Sequence, residues 1–203
     1  MRRDLAGRVV MITGAAGGLG AALCRRYAAA GARIAALDLD AARLDGLVAD
    51  LRAAGGEALA LPGDVTDAAA CKVAVAEVLA HFGALDGLIN NAGISHRSLL
   101  LDTDAEVVRR VMEVNFFGAA NLTKAALKAI VARRGFVVAV SSVAGFSPLT
   151  GRTGYAASKY ALHGFFDSLR SEVEAAGVGV TLVCPSFIRT GIGAAAIGGS
   201  GAP

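Results

Sequence analysis

With three cysteines, three histidines and no tryptophan, the chain lacks the material for several kinds of chemistry. Cys24, Cys71 and Cys184 are odd in number, far apart and without metal-ligand spacing. That excludes a disulfide framework and makes them small apolar side chains of a reducing compartment. Charge is scarce as well, at 18% of 203 residues, and the net +3 comes from scattered Lys and Arg. Without basic runs or interleaved aromatics, nucleic-acid binding is not expected. Long apolar runs are also missing. Val9 to Ile12 is too short for a signal-peptide core and runs straight into a glycine turn. The uncharged stretch from Gly135 to Gly151 carries three serines, a proline and Gly145, so it reads as strand plus loop and not as a membrane span. A cytoplasmic location is expected. Of the histidines, His81 sits at a helix end where a cation suits the dipole, His163 reads as a packing or subunit-contact residue, and His96 as a solvated loop residue. No metal site is expected.

What the chain does have is a hydrophobic content of 55% and 26 glycines, the composition of one α/β domain spanning 1–203, with a buried parallel sheet and closely packed helices. Arg8 to Thr13 is a β-branched run feeding the turn Thr13-Gly-Ala-Ala-Gly-Gly-Leu-Gly20, after which helical spacing holds to Gly31. Glycines 14, 18 and 20 let the backbone turn tightly and let a pyrophosphate approach the helix amino terminus. The next strand, Arg33 to Leu37, ends at Asp38, close to the spacing at which a dinucleotide fold offers a carboxylate to the adenosine ribose. Asp40 stands ready to cap the helix that follows. Helix, glycine break and strand then repeat. A strand from Glu57 leads to Asp64-Val65, and a helix carries Val75, Val78, Leu79 and Phe82 as an apolar stripe. The strand Leu85 to Ile89 delivers Asn90-Asn91-Ala92-Gly93 to the expected carboxyl edge of the sheet. A long helix from about Thr103 to Val131 places Asn115 midway among apolar residues, where a buried amide needs a partner.

Tyr155-Ala-Ala-Ser-Lys159 opens the next helix with the phenol and the ammonium on one face. A free phenol titrates near pH 10, and a neighbouring cation favours its charged form. Ser142, thirteen residues before Tyr155 at the end of the strand Gly135 to Val140, supplies a second hydrogen-bonding group for the same substrate oxygen. The helix continues with the stripe Leu162, Phe165, Phe166, Leu169 and Val173, and a last strand, Gly179 to Cys184, leads to Pro185.

TGAAGGLG, the carboxylate at 38, Asp64-Val65, NNAG, Asn115, Ser142 and YAASK occur in one order, and in this the chain resembles the short-chain dehydrogenase/reductase superfamily over Gly7 to Thr190. The resemblance implies a Rossmann-type doubly wound parallel sheet of order 3-2-1-4-5-6 with helices on both faces. It implies a catalytic tetrad of Asn115, Ser142, Tyr155 and Lys159. Cofactor contacts are implied at Gly14, Gly18, Leu19, Gly20, Asp38, Asp64, Val65, Asn91, Ala92, Gly93, Pro185, Ile188 and Thr190, and also at Tyr155 and Lys159. The implied activity is NAD-linked hydride transfer on a secondary alcohol or ketone, with Tyr155 as acid/base. Alternatives are an NADP-dependent carbonyl or 3-oxoacyl-thioester reductase, which Asp38 disfavours, and a catalytically silent dinucleotide-binding protein. The segment from Tyr155 to Thr190 is similar to the subgroup acting on lipophilic alcohols.

Two departures stand out. Ser186 replaces the glycine that usually follows the proline, and the family's lid, further helix and last strand do not follow. Residues 190–203, rich in glycine and with little to anchor them, are expected to begin a mobile substrate lid, the native polypeptide continuing past Pro203. The apolar faces of the two long helices predict a homodimer or homotetramer.

Overall fold

The computed structural model describes residues 4–186, 188, 193 and 195–202. Six strands, β1 (Val9–Thr13), β2 (Arg33–Asp38), β3 (Ala58–Pro62), β4 (Gly87–Asn90), β5 (Phe136–Val140) and β6 (Gly179–Val183), form one parallel sheet. Its order is β3-β2-β1-β4-β5-β6, as the resemblance implied. The helices are α1 (Gly18–Ala28), α2 (Ala41–Ala53), α3 (Ala68–Phe82), α4 (Ala105–Met112), α5 (Gly118–Ala132) and α6 (Thr153–Val173). The strand order reverses between β1 and β4. In open α/β sheets ligands bind at the carboxyl edge where the order reverses in this way.

Every residue of β1 is buried because the strand is covered twice. Val10 and Ile12 join Ile34, Leu44, Leu47 and Ile89 beneath α1 and α2. Val9 and Met11 face the other way, into a core with Val78, Leu122, Ile130, Leu162 and Phe166 from α3, α5 and α6. Full burial of a side chain such as Ile12 or Phe166 stabilises the fold by about 1.5–3 kcal/mol. Asp40 caps α2 by accepting from the Arg43 N–H at 3.1 Å, and Asp67 caps α3 by accepting from Ala69 and Ala70.

The structure departs from the sequence reading in four places. The long helix is interrupted: α4 passes through a π-helical turn, Glu113–Phe117, before α5 resumes. An added residue in the turn rotates Asn115 inward, to 1% exposure. Leu79 leaves its expected apolar stripe and is 37% exposed, whereas Val75, Val78 and Phe82 are buried. His96 is not a solvated loop residue, because its side chain has no exposed surface. The segment 195–202 is anchored after all. The Ile197 N–H donates to Ser95 O, Arg97 N–H donates to Ile197 O, and Asp104 N–H donates to Gly199 O, each at 2.9 Å. Ile197 then packs against Val107 and Val111 of α4.

Candidate active site

The turn from β1 to α1 is shaped by its glycines. Gly14 has φ +61°, and a Cβ there would stand 2.8 Å from the Ala92 Cα; a Cβ on Gly20 would lie 2.0 Å from Gly14 O. Side chains at these positions would clash with backbone, so the loop can close and α1 can seat against it only with glycine. Helix α1 begins after Gly17 with no side-chain cap, which leaves its first-turn N–H groups free for an anion beside Gly18 and Leu19. The loop thus fits a pyrophosphate. At the end of β2, Asp38 accepts from the Ala16 N–H at 2.9 Å and from the Asp40 N–H at 3.0 Å, which holds its carboxylate against the glycine loop. Arg43 reaches the same loop from α2, its guanidinium donating to Ala16 O at 2.8 Å. Arg43 is five residues beyond Asp38 in sequence, and only the packing of α2 brings it to the glycine loop.

The Asn-Asn-Ala-Gly turn after β4 is fastened to β1 by Thr13. Its hydroxyl oxygen accepts from the N–H groups of Asn91 and Ala92, both at 2.9 Å, and the Asn91 amide donates to Thr13 O and Gly14 O. Thr13 is a site-building residue that the sequence reading passed over as the end of a strand. Asn90 donates to the Thr123 hydroxyl of α5 at 2.9 Å. Gly93 brings the turn against two of the implied tetrad: a Cβ there would lie 3.1 Å from Asn115 Oδ1 and 3.7 Å from Lys159 Nζ. Asp64 accepts from the Thr66 N–H, while Val65 packs on Gly118 and its carbonyl accepts from the Asn121 amide.

Asn115 has its polar atoms engaged. Oδ1 accepts from the Ile94 N–H at 2.8 Å, and Nδ2 donates to Ile94 O at 3.0 Å and to the Ser158 hydroxyl at 2.9 Å. The side chain therefore clips the turn after β4 onto α6. Ser158, within YAASK, completes the clip by donating to Tyr155 O at 2.7 Å. Ser142 accepts from the Ala144 N–H at 3.2 Å and is 8% exposed, an arrangement that leaves its hydroxyl proton for another acceptor. Lys159 is buried. Its Nζ donates to Val140 O at 2.9 Å and lies 5.6 Å from the centre of the half-buried Tyr155 ring. Burial pushes the Lys159 ammonium down to about 8, against a smaller opposing pull from Cys184. His163 packs beneath, its Nε2 3.0 Å from the Ser141 hydroxyl and its ring edge-on to Phe146. Pro185 O accepts from the Val143 N–H, tying the end of β6 to the Ser142 loop, and Ile188 is exposed. Thr190 lies outside the described residues. Among the described residues no three His, Cys, Asp or Glu side chains gather to hold a metal ion, and no helix is long and apolar enough to cross a membrane.

Fold and site together define a doubly wound, Rossmann-like α/β domain with a serine, a tyrosine, a lysine and an asparagine at its carboxyl edge. The short chain dehydrogenase family model matches residues 8–197, and the chain belongs to that family. It is 42% identical over 208 residues to "Dehydrogenase/reductase SDR family member 7B" of Bos taurus, an alignment covering 99% of this chain and 64% of the bovine one. "Probable oxidoreductase EphD" of Mycobacterium bovis is 40% identical over 91% of this chain and 31% of its own. Among solved structures, a Burkholderia phymatum short chain dehydrogenase/reductase in complex with NAD superposes with a TM-score of 0.92 at 31% identity, covering 96% of this chain and 70% of that one. A Sinorhizobium meliloti dehydrogenase/reductase gives 0.89 at 33% identity, over 93% and 75%.

Proposed function

We propose that the chain catalyses dinucleotide-dependent oxidation of a secondary alcohol, or reduction of the matching ketone, with Tyr155 as the proton donor and acceptor. The carrying observation is the meeting of the Tyr155 ring, the buried Lys159 ammonium, Asn115 and Gly93 beside a glycine cradle shaped for pyrophosphate. When bound, a nicotinamide dinucleotide supplies the hydride chemistry. The loop from Gly14 to Gly20, with Asp38, Asp64, Val65 and Asn91, would hold it. Tyr155 exchanges the hydroxyl proton with the substrate oxygen, and the Lys159 charge favours the phenolate. Ser142 donates its free hydroxyl proton to the same oxygen as charge builds there. Asn115 keeps the turn after β4, Ser158 and α6 in register, which holds Tyr155 and Lys159 at fixed separation.

Asp38 supports NAD, since its carboxylate accepts from ribose hydroxyls and repels a 2′-phosphate. A second reading, NADP use, is favoured by Arg43, whose guanidinium stands on the same Ala16 that Asp38 engages. The deciding experiment for the chemistry is Tyr155→Phe in single-turnover kinetics with NAD titration alongside. Turnover is expected to fall about 10²–10⁴-fold with NAD affinity unchanged; near-normal turnover sinks the assignment.

A further inference from the structure

Among the described residues only Asn90 and His96 hold buried side-chain polar atoms without a partner, and in His96 both ring nitrogens are left so. The His96 ring has no exposed surface, yet neither Nδ1 nor Nε2 has a hydrogen-bond partner among the described residues, and a buried imidazole left so is costly. The ring points at a particular place. A Cβ on Gly154, the second residue of α6, would sit 3.4 Å from His96 Cε1, the carbon between the two orphaned nitrogens. Helix α6 is 21 residues long and starts there with no side-chain cap. Its first helical bond runs from Ala156 N–H to Arg152 O, so the preceding amides have no partner within the helix. Arg152, half-buried at the same helix start, donates to the Ser95 hydroxyl and pairs with no carboxylate among the described residues. Burial, with the Arg152 charge adding to it, holds the His96 imidazole below the usual histidine range.

A guanidinium, a hydroxyl, uncapped helix amides and an unsatisfied imidazole thus converge, and among the described residues no carboxylate answers them. We propose that the amino end of α6 is an anion site that receives a carboxylate or phosphate carried by the substrate. Arg152 swings from Ser95 onto the anion, the Ser95 hydroxyl and the first-turn amides donate to it, and the His96 imidazole completes the set. Because Tyr155 is the third residue of the same helix, the anion site and the proposed proton donor share one helix start. The substrate class is therefore a ketone or secondary alcohol with a nearby carboxylate or phosphate. This assignment rests on the hydride-transfer reading above.

Two measurements on the whole chain separate the site from that reading. In the first, inorganic phosphate is titrated into protein with labelled histidines. The His96 ring signals are expected to shift saturably while those of His81 and His163 stay, with Arg152→Gln weakening the response about tenfold or more and Arg152→Lys recovering part of it. In the second, dinucleotide-dependent turnover is compared for two ketones of one skeleton, one ending in a carboxylate and the other in the carboxamide. The acid is expected to be preferred about tenfold or more in kcat/KM, and Arg152→Gln to bring the ratio near one. A His96 signal that ignores phosphate, or an acid-to-amide ratio untouched by Arg152→Gln, overturns the anion site even in an enzyme that turns over both ketones. Phosphate that shifts His96 while neither ketone turns over supports the site and counts against hydride transfer.

Discussion

The two edges of the sheet treat buried polar groups in opposite ways. At the amino edge, Asp86 is 1% exposed and saturated: Oδ2 accepts from the Val9 N–H at 3.0 Å, and Oδ1 takes Arg8 at 3.2 Å and Arg133 at 3.0 Å. Glycines there let backbone and ring close on each other, since a Cβ on Gly135 would stand 2.1 Å from Asp86 O and one on Gly87 would stand 2.3 Å from the Phe136 ring. At the carboxyl edge, Asn90 Oδ1 and both nitrogens of His96 are buried without partners among the described residues, and the Lys159 ammonium is buried with a carbonyl but no carboxylate among them. One edge has been arranged for stability, whereas the other holds polar groups in readiness for molecules that come from outside.

That contrast breaks most visibly at Lys159. Lys159→Met should cut turnover about 10²–10⁴-fold, measured at saturating dinucleotide. The same variant reveals what the ammonium costs the fold. Its pKa is lowered from 10.5 to about 8, so between those values the unfolded chain binds more protons than the native one. Unfolding free energy therefore rises with pH from about 8 to 10.5. The gain is at most about 3 kcal/mol, it is absent below pH 8, and chemical denaturation of Lys159→Met should lack it. Retention of the full rise in the variant would reassign it to another group.

Asp86→Asn makes the opposite prediction. Losing charge-assisted bonds at a buried acceptor should lower unfolding free energy by about 2–3 kcal/mol in denaturant titrations, while kcat/KM of the folded fraction stays near wild type. A kinetic defect without a stability defect would erase the distinction between the edges. Gly20→Ala should fall between, since its Cβ meets Gly14 O inside the cradle. Overpacking of this kind costs about 1–3 kcal/mol, and dinucleotide affinity by calorimetry should drop about tenfold to a hundredfold. The smallest effect belongs to Asp38→Ala. With the carboxylate gone and Arg43 remaining at Ala16, the NADP-to-NAD ratio of kcat/KM should rise about tenfold. An unchanged ratio would show that neither residue reads the ribose.

By itself the sequence determined the class of fold, the strand order by way of a family resemblance, and the glycine positions of the cradle. Local rules suffice for these, because β-branched runs, glycine turns and helical stripes are read within about a dozen residues. It also brought Tyr155 and Lys159 together, since a spacing of four on one helix leaves little else to decide. Tertiary structure decided what depends on distant residues meeting. Thr13 became the staple of the Asn-Asn-Ala-Gly turn, Arg43 crossed from α2 to the glycine loop, and the π-helical turn carried Asn115 to Ile94 and Ser158. His96 reads as a loop residue in sequence because the chain near it is polar and short. Only the return of Ile197 beside Ser95 and the arrival of Gly154 at its ring bury it, and burial is a property of the whole fold that no local pattern records.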